Sequence, residues 1–228
     1  MSKSSGLVLA GKRYWSPPGS AAPAVGLPDV SRWKSDGTFT NHVAWAQLPT
    51  GVWYMTFDGV DDYVQSPAAG SQQMNFTSES FTLLAWCYSP GLGAACYIMG
   101  QGATDVDGWG LFCFVNTLSL RLNQAAGHTD ISAVDAFASG AWQLVGVTRA
   151  GNTGQFYING APVATVGGGG LVDAVSVAGG NKFLLGIADN ELTNAWLGYK
   201  TWHRVVNYAM TPDEMARIWI AEHGFFGV

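Results

Sequence analysis

Charge is scarce in this sequence. Asp, Glu, Lys and Arg make up 12% of the 228 residues, about half their share in an average soluble protein. The 11 Lys and Arg residues do not cluster, and the formal net charge is −5. Because a surface that follows a phosphate backbone needs a basic stripe, nucleic acid is excluded from the expected partners.

Long apolar runs are missing as well. No stretch approaches the roughly 18 consecutive apolar residues that indicate a membrane-spanning helix. The N-terminal segment MSKSSGLVLAGKRYW contains only a short apolar run at residues 7–11, and a secretory signal needs a longer one. We therefore expect no membrane insertion, and synthesis in the cytoplasm without a signal peptide.

Cysteine is rare. Cys87, Cys96 and Cys113 each lie in an apolar, strand-like run. The odd number and the spacings fit neither a disulfide framework nor a zinc site, so we expect three buried thiols.

Apolar and small residues are abundant instead. Hydrophobic residues make up 48% of the chain, which also has 30 Gly and 10 Trp. With so few charges, part of the surface must be apolar, and contiguous apolar patches mark contacts. The composition therefore predicts protein partners, either copies of this chain in a homo-oligomer or other subunits of a larger assembly.

The first 28 residues differ from the rest. They contain Pro17, Pro18, Pro23 and Pro28, and proline fixes φ and removes a hydrogen-bond donor. Residues 1–28 are predicted to form an extended N-terminal arm, and residues 29–228 a single domain.

The domain reads as a series of short strands. In LSLRLNQ (118–124) the leucines alternate with polar residues, as in a half-buried strand. Asn159-Gly160 supplies the two positive φ angles of a tight hairpin, and Pro162 places the returning strand at a sheet edge. Strands at this spacing, with Gly-rich and Asn-rich turns, predict an all-β sandwich of two antiparallel sheets.

One short C-terminal α-helix is predicted. Thr211-Pro212-Asp213-Glu214 is a capping box, with proline at the first helical position. Gly224 is expected to end the helix.

Six segments, in this order, resemble a known family. They are PDVSRWKSDGTFTNHVAW, FDGVDDYV, SFTLLAWCY, WQLVGVTR, GQFYINGAPVAT and LGYKTWHRVVNYAMTPDEMARIW. Together they are similar to the laminin-G-like, or concanavalin A-like lectin-glucanase, jelly-roll family over about residues 29–222. The resemblance implies a jelly roll of two curved antiparallel sheets. It leaves the function open, since such folds include lectins, adhesins, glycosidases and inert spacers.

The three aspartates of FDGVDDYVQ (57–65) are interpreted as turn residues. Asp58, Asp61 and Asp62 can accept hydrogen bonds from nearby backbone N–H groups, and Gly59 gives the turn a permissive backbone. A metal ion is not expected here.

The resemblance implies a different candidate calcium site. Relatives often hold calcium at the sheet rim with an aspartate before a strand, which here points to Asp107 and, second, Asp105. Asp189, Asn190 and Glu191 could complete the site from another loop, and a solvated turn is the alternative interpretation of residues 105–108. Relatives often have an acidic residue in the final strand, where this chain has Lys200 and Thr201.

A sugar-binding rim is the related hypothesis. Exposed aromatic rings stack on sugars beside polar groups, and Trp109 and Trp196 fall near predicted loop ends. Packing in the core is the alternative for either ring. The candidate ligand-binding residues are Asp105, Asp107, Trp109, Asp189, Asn190, Asn194 and Trp196.

No catalytic residue is predicted. Glucanases of this fold place alternating acidic residues on one strand, because only such residues share a face. This chain has only four glutamates, of which Glu214 belongs to the cap. His203, between Trp202 and Arg204, is interpreted as a sheet-surface residue.

These observations predict a non-enzymatic binding or structural module that requires no cofactor. The favoured role is an accessory protein of a bacteriophage particle, displayed on the virion surface and docked on a capsid or tail protein through its arm. The alternative is a soluble carbohydrate-binding lectin that uses calcium, and the third hypothesis is a glycoside hydrolase.

Overall fold

Two antiparallel sheets form the molecule. The computed structural model describes residues 26–29, 35–91, 93, 95–179, 181–188 and 193–228. The strands in this part of the chain are β1 (Thr38–Thr40), β2 (Ala44–Gln47), β3 (Trp53–Asp58), β4 (Tyr63–Gln65), β5 (Phe81–Tyr88), β6 (Ala95–Ala103), β7 (Asp107–Phe114), β8 (Thr117–Gln124), β9 (Gly127–Ala133), β10 (Gln143–Ala150), β11 (Thr153–Ile158), β12 (Ala161–Pro162), β13 (Phe183–Leu185) and β14 (Leu197–Val206). The helices are α1 (Ala68–Ser71), a single turn, and α2 (Pro212–Glu222). Among these residues neither helix has the length and hydrophobicity needed to cross a bilayer.

Each sheet contains seven strands. The first has the order β1-β4-β13-β6-β7-β8-β9, and the second has the order β12-β11-β10-β5-β14-β3-β2. All the pairings are antiparallel, so the predicted two-sheet sandwich is confirmed. The hairpin at Asn159-Gly160 is present with positive φ at both residues, and Pro162 lies on the edge strand β12.

The inward faces of both sheets make one core. Leu118, Leu120 and Leu122 of β8 are fully buried in it, as the alternation of LSLRLNQ predicts. The three cysteines are free and buried, which confirms that prediction. Burial raises the pKa of the Cys87 and Cys96 thiols to about 12, so both are protonated at neutral pH.

The strand directions define two ends of the sandwich. At one end β5 finishes and β6 and β14 begin; we name it the Leu197 end after the first residue of β14. At the other end β6 turns into β7, where Ala103 pairs with Asp107; we name it the Asp107 end. Of the predicted arm, Leu27 is buried in the core and exchanges backbone hydrogen bonds with Gly37. Residues 1–25 lie outside the described residues.

The C-terminal segment covers the outer face of the second sheet. The capping box is confirmed: Glu214 N–H donates to Thr211 Oγ1 at 3.3 Å, and Thr211 N–H donates to Glu214 Oε2 at 2.8 Å. Helix α2 ends at Glu222, before Gly224, and a 3-10 turn over His223–Phe225 continues it. Phe226 then stacks on Trp86 with ring centroids 3.9 Å apart.

Glu222 connects this segment to the sheet through buried polar contacts. Its Oε2 accepts from Trp86 Nε1 at 2.9 Å and from Arg204 Nη1 at 3.2 Å. Its Oε1 accepts from Arg204 Nη2. A buried ion pair of this kind leaves an uncompensated charge when one partner is removed.

Glu222→Ala is therefore expected to destabilise the fold by about 3–5 kcal/mol, the usual cost of breaking a buried pair. Asp213→Ala, an exposed substitution in the first turn of the same helix, is expected to cost only about 0.3–1 kcal/mol. The midpoints of urea unfolding measure both. Equal losses in the two variants would contradict a stabilising role for the buried contacts.

A lysine occupies the core at the Leu197 end. Lys200 is 0% exposed, and its Nζ donates to the carbonyl oxygens of Ile98 at 3.0 Å and Tyr97 at 3.3 Å. These carbonyls lie where the register of β6 shifts against β7. Burial lowers the pKa of Lys200 from the ordinary 10.5 to about 7.

His203 is also buried, which corrects its interpretation as a sheet-surface residue. Regular alternation from the inward Lys200 would place His203 on the outer face. However, the pairing of β14 shifts register between Thr201 and Arg204, where Trp202 has φ 49°. The shift turns Trp202 outward, into the cluster under the C-terminal segment, and turns His203 inward. Burial, with Lys200 nearby, lowers the His203 pKa well below its ordinary value.

The Lys200 pKa predicts a pH dependence of stability. Between pH 7 and 10.5 the unfolded chain carries the Lys200 proton and the folded chain does not, so the free energy of unfolding rises with pH through this window. Lys200→Met, which keeps a long apolar side chain, is expected to lose this rise. Lys182→Met is the control for loss of one lysine. Urea unfolding at several pH values measures the slopes, and equal slopes for the wild type and Lys200→Met would show the prediction wrong.

Candidate functional site

A cleft of about 240 Å³ opens at the Leu197 end. It lies where the turn after β3 meets the starts of β6 and β14 and the residues that follow β5. Its lining is almost entirely small side chains: Gly59, Gly91, Gly93, Ala95, Cys96, Ala195 and Leu197. The volume is below the roughly 300–1,000 Å³ of pockets that enclose a drug-sized ligand. The cleft therefore suits one ring or end group of a larger ligand.

Close packing of the β3–β4 turn shapes one wall of this cleft. Gly59 has φ +80°, and a Cβ there would lie 2.9 Å from the Leu197 Cβ. A side chain would thus be strained and would collide with Leu197, so glycine is required where the turn meets β14. Leu197 is itself 40% exposed, and it presents an apolar surface at the mouth of the cleft.

The aspartates of the same turn hold it together. Asp58 Oδ1 accepts from the N–H of Val60 at 2.8 Å. The buried Asp62 accepts from the N–H of Asp58 at 2.9 Å through Oδ2 and from the N–H of His42 at 2.7 Å through Oδ1. These are the local hydrogen bonds that the turn interpretation predicts. Asp62 also connects the turn after β1 to the turn after β3.

The same contacts bring four ligating side chains together. Ligand atoms of His42, Asp58, Asp61 and Asp62 lie within 4.8 Å of one another. Sequence analysis missed His42, because it approaches the aspartates only through the pairing of Thr40 with Tyr63. Burial raises the Asp62 pKa, partly offset by its two backbone donors. Both Asp62 oxygens are engaged by N–H groups, whereas Asp58 and Asp61 are exposed.

A row of aromatic side chains leads away from the cleft on the outer face of the second sheet. Tyr88 and Tyr199, directly paired on β5 and β14, stack at 5.1 Å between centroids. Tyr54 flanks Tyr199 at 4.9 Å, and Trp142 flanks Tyr88 at 5.9 Å. The three tyrosines are half-buried. We name these four residues the tyrosine row.

Leu197 joins these features into one surface. It is paired with Asp58 across the strands, it contacts Gly59, and it lies two residues before Tyr199 on the same face of β14. We name the cleft, the exposed carboxylates of Asp58 and Asp61, and the tyrosine row together the Leu197 site.

The predicted calcium residues lie at the opposite end. Asp107 is 5% exposed; its Oδ1 accepts from Ala103 N–H at 2.8 Å and its Oδ2 from Ala178 N–H at 3.0 Å. Asp105 is paired with His128. These carboxylates bind the surrounding loops and an imidazole, so the residues do not fit a calcium site, and no calcium is proposed there.

Both tryptophans predicted at the rim are buried, which is a correction. Trp109 is 1% exposed and donates from Nε1 to the Met74 carbonyl at 2.8 Å. Trp196 is 0% exposed and meets Phe137 edge-on at 5.8 Å. Proximity to a loop in sequence did not place either ring at the surface, because each side chain points between the sheets.

Of the other candidate ligand-binding residues, only Asn194 is described near the cleft. Asn194 is exposed beside the cleft, and its carbonyl accepts from Tyr97 N–H at 2.9 Å. Asp189, Asn190 and Glu191 lie outside the described residues. The structure thus brings Asn194 to the Leu197 site and leaves Asp105 and Asp107 at the other end.

Comparisons with known proteins agree with this architecture. The binding domain of Paraclostridial mosquitocidal protein 1 is similar at a TM-score of 0.64 and 13% identity, covering 90% of this chain and 53% of that one. The botulinum neurotoxin serotype D ligand-binding domain, solved with N-acetylneuraminic acid, is similar at a TM-score of 0.66 and 12% identity, covering 97% and 51%. This chain therefore spans about half the length of these toxin domains.

An additional similar structure has nearly the length of this chain. Domain 4 of an extracellular arabinanase from Geobacillus stearothermophilus, in complex with arabinotriose, has a TM-score of 0.61 and 16% identity, covering 81% of this chain and 91% of that one. At these identities the likeness concerns the fold alone. No curated protein sequence matches this chain.

The sequence pattern of one family settles the relationship. It matches residues 58–216, from the aspartate turn through β14 and into α2, and so covers most of the domain. The chain belongs to the concanavalin A-like lectin/glucanases superfamily.

Proposed function

We propose that this chain is a non-catalytic carbohydrate-binding module and that the Leu197 site holds the glycan. One observation carries the proposal: the cleft of small residues is continuous, through Leu197, with exposed carboxylates and the tyrosine row. Tyrosine supplies rigid amphipathic contact area at low entropic cost. Carboxylates are strong acceptors for hydroxyl donors.

Two of the similar structures support a sugar ligand. The botulinum domain was solved with N-acetylneuraminic acid and the Geobacillus domain with arabinotriose. By their names, the first is the ligand-binding domain of a neurotoxin and the second is domain 4 of an arabinanase. Family membership adds to this, since the superfamily is named for its lectins as well as its glucanases.

The contacts of the aspartates favour binding over hydrolysis. Retaining glycosidases need one carboxylic acid that protonates the leaving group and a second carboxylate beside the sugar. Among the three aspartates of the turn, Asp62 has the raised pKa that a proton donor needs, but its side chain is buried, with 1% exposed. Both its oxygens accept backbone N–H groups, so it is not placed to give a proton to a ligand in the cleft.

Assembly into a larger structure is the second candidate function. Phe114, Val115 and Val134 are 55%, 44% and 61% exposed around neighbouring strands of the first sheet. Such a patch on a chain of low charge fits contact with protein. The more specific role on a bacteriophage particle stays a prediction, because residues 1–25 of the arm that would dock lie outside the described residues. Molar mass measured by light scattering over a range of concentrations tests self-association.

Filling the cleft tests the carbohydrate proposal. A Cβ at Gly91 would have no heavy atom within 4 Å, so Gly91→Trp is expected to fold normally and to fill the cleft. We expect it to reduce glycan affinity at least about tenfold, a loss of about 1.4 kcal/mol. Binding is measured on a glycan array and then by calorimetry with the best ligand.

Gly127→Trp is the matched control. Its Cβ position is equally open, but it lies in the β8–β9 turn at the Asp107 end. Retained binding in Gly127→Trp together with loss in Gly91→Trp supports the site. Unchanged affinity in Gly91→Trp would place the glycan elsewhere, and an array without any bound glycan would overturn the proposed function.

A further inference from the structure

We infer that the Leu197 site selects neutral glycans and discriminates against sialylated and other anionic glycans. This inference rests on the proposed function and adds the class of ligand. It is carried by the distribution of charge around the cleft, where carboxylates outnumber the one described basic side chain beside them, His42.

The negative charges lie directly beside the cleft. Asp58 and Asp61 are exposed and flank Gly59, which lines the cleft. Asp58 is also paired with Leu197 across the strands. A sugar hydroxyl can donate to these carboxylates, whereas a sugar carboxylate or sulfate brought into the cleft meets like charge.

The described Lys and Arg side chains do not offset this charge. Lys200 is the one described basic residue at the Leu197 end of β14, and its Nζ points into the core, toward the carbonyls of Tyr97 and Ile98. The other basic side chains are paired away from the cleft: Arg121 with Asp130, Arg149 with Asp173, Arg204 with Glu222 and Lys182 with Gln65. Arg217 lies on α2. His42 is the one described basic side chain in the aspartate cluster, where Asp58, Asp61 and Asp62 outnumber it. No described Lys or Arg is available there to form a charge-assisted pair with an anionic sugar.

The rest of the surface suits an uncharged ring. Leu197 is 40% exposed at the mouth of the cleft, and Val60 is 69% exposed at the tip of the aspartate turn. Apolar surface of this kind packs on the C–H faces of a sugar, while the tyrosines of the tyrosine row carry hydroxyl groups. Uncharged donors and acceptors together with carboxylates form a complete set of partners for a neutral polyol.

The experiment compares matched glycans on the full chain. The probes are array glycans printed as pairs, each neutral oligosaccharide beside its sialylated or sulfated counterpart, in buffer with a chelator and in buffer with calcium. We expect the neutral member to bind at least about tenfold tighter in both buffers. Added salt is expected to narrow the ratio, because screening weakens exposed charges.

Removing the charges tests the cause. The double variant Asp58→Asn with Asp61→Asn keeps an acceptor oxygen for the turn, and it is expected to bring the neutral-to-anionic ratio within about twofold. The control double variant, Asp213→Asn with Glu79→Gln, removes the same net charge from exposed positions at the opposite end. It is expected to leave the ratio unchanged. Thermal unfolding checks that all four substitutions leave the fold intact.

The possible outcomes separate the preference for neutral glycans from carbohydrate binding itself. The inference is supported if the wild type prefers neutral glycans and if only the Asp58 and Asp61 variant, not the control variant, weakens that preference. Equal or tighter binding of anionic glycans, with or without calcium, overturns the inference and leaves the carbohydrate function standing. The same holds if the Asp58 and Asp61 variant does not change the ratio of neutral to anionic binding. If neither member of any pair binds, the proposed function fails, and this inference fails with it.

Discussion

The side-chain alternation of β14 is the constraint on which the rest of the structure depends. This strand, which lies between β5 and β3 in the second sheet, sends Leu197 and Tyr199 outward and Lys200 inward. One register shift then turns Trp202 toward the C-terminal segment and His203 into the core. One ten-residue strand therefore positions the exposed Leu197 and Tyr199, the buried Lys200, and the Trp202 ring under the C-terminal segment. A slip of one residue would exchange the faces.

Local sequence signals were sufficient for the fold. The hairpin at Asn159-Gly160, the capping box at Thr211 and the alternation of LSLRLNQ each depend on neighbouring residues, and each is confirmed. Which face of a sheet a side chain lies on was predictable only in part. His203 was misplaced because a register shift has no local signature, and Trp109 and Trp196 were misplaced because a position near a loop does not decide which way a strand side chain points.

The site was less predictable because its parts are far apart in sequence. The cleft combines residues from 59 to 197, and His42 joins the aspartate turn through strand pairing. The aspartates themselves were correctly interpreted as turn residues, yet that interpretation was incomplete. Both oxygens of Asp62 accept backbone N–H groups, while Asp58 and Asp61 are exposed. The same turn therefore has a buried, structural side and an exposed, charged side.

The positions of the few charged side chains add to what their scarcity in the sequence implies. The composition alone argues against nucleic acid, but it does not show where the few cations lie. Lys200 and the Arg204–Glu222 pair are placed inside the protein, where they complete the β6 carbonyls and hold the C-terminal segment. The exposed carboxylates at the Leu197 end therefore have no described Lys or Arg opposite them, and His42 alone offsets part of their charge. A chain with few charges can in this way carry an excess of negative charge at one end of its surface, because its basic side chains are used in contacts that stabilise the fold.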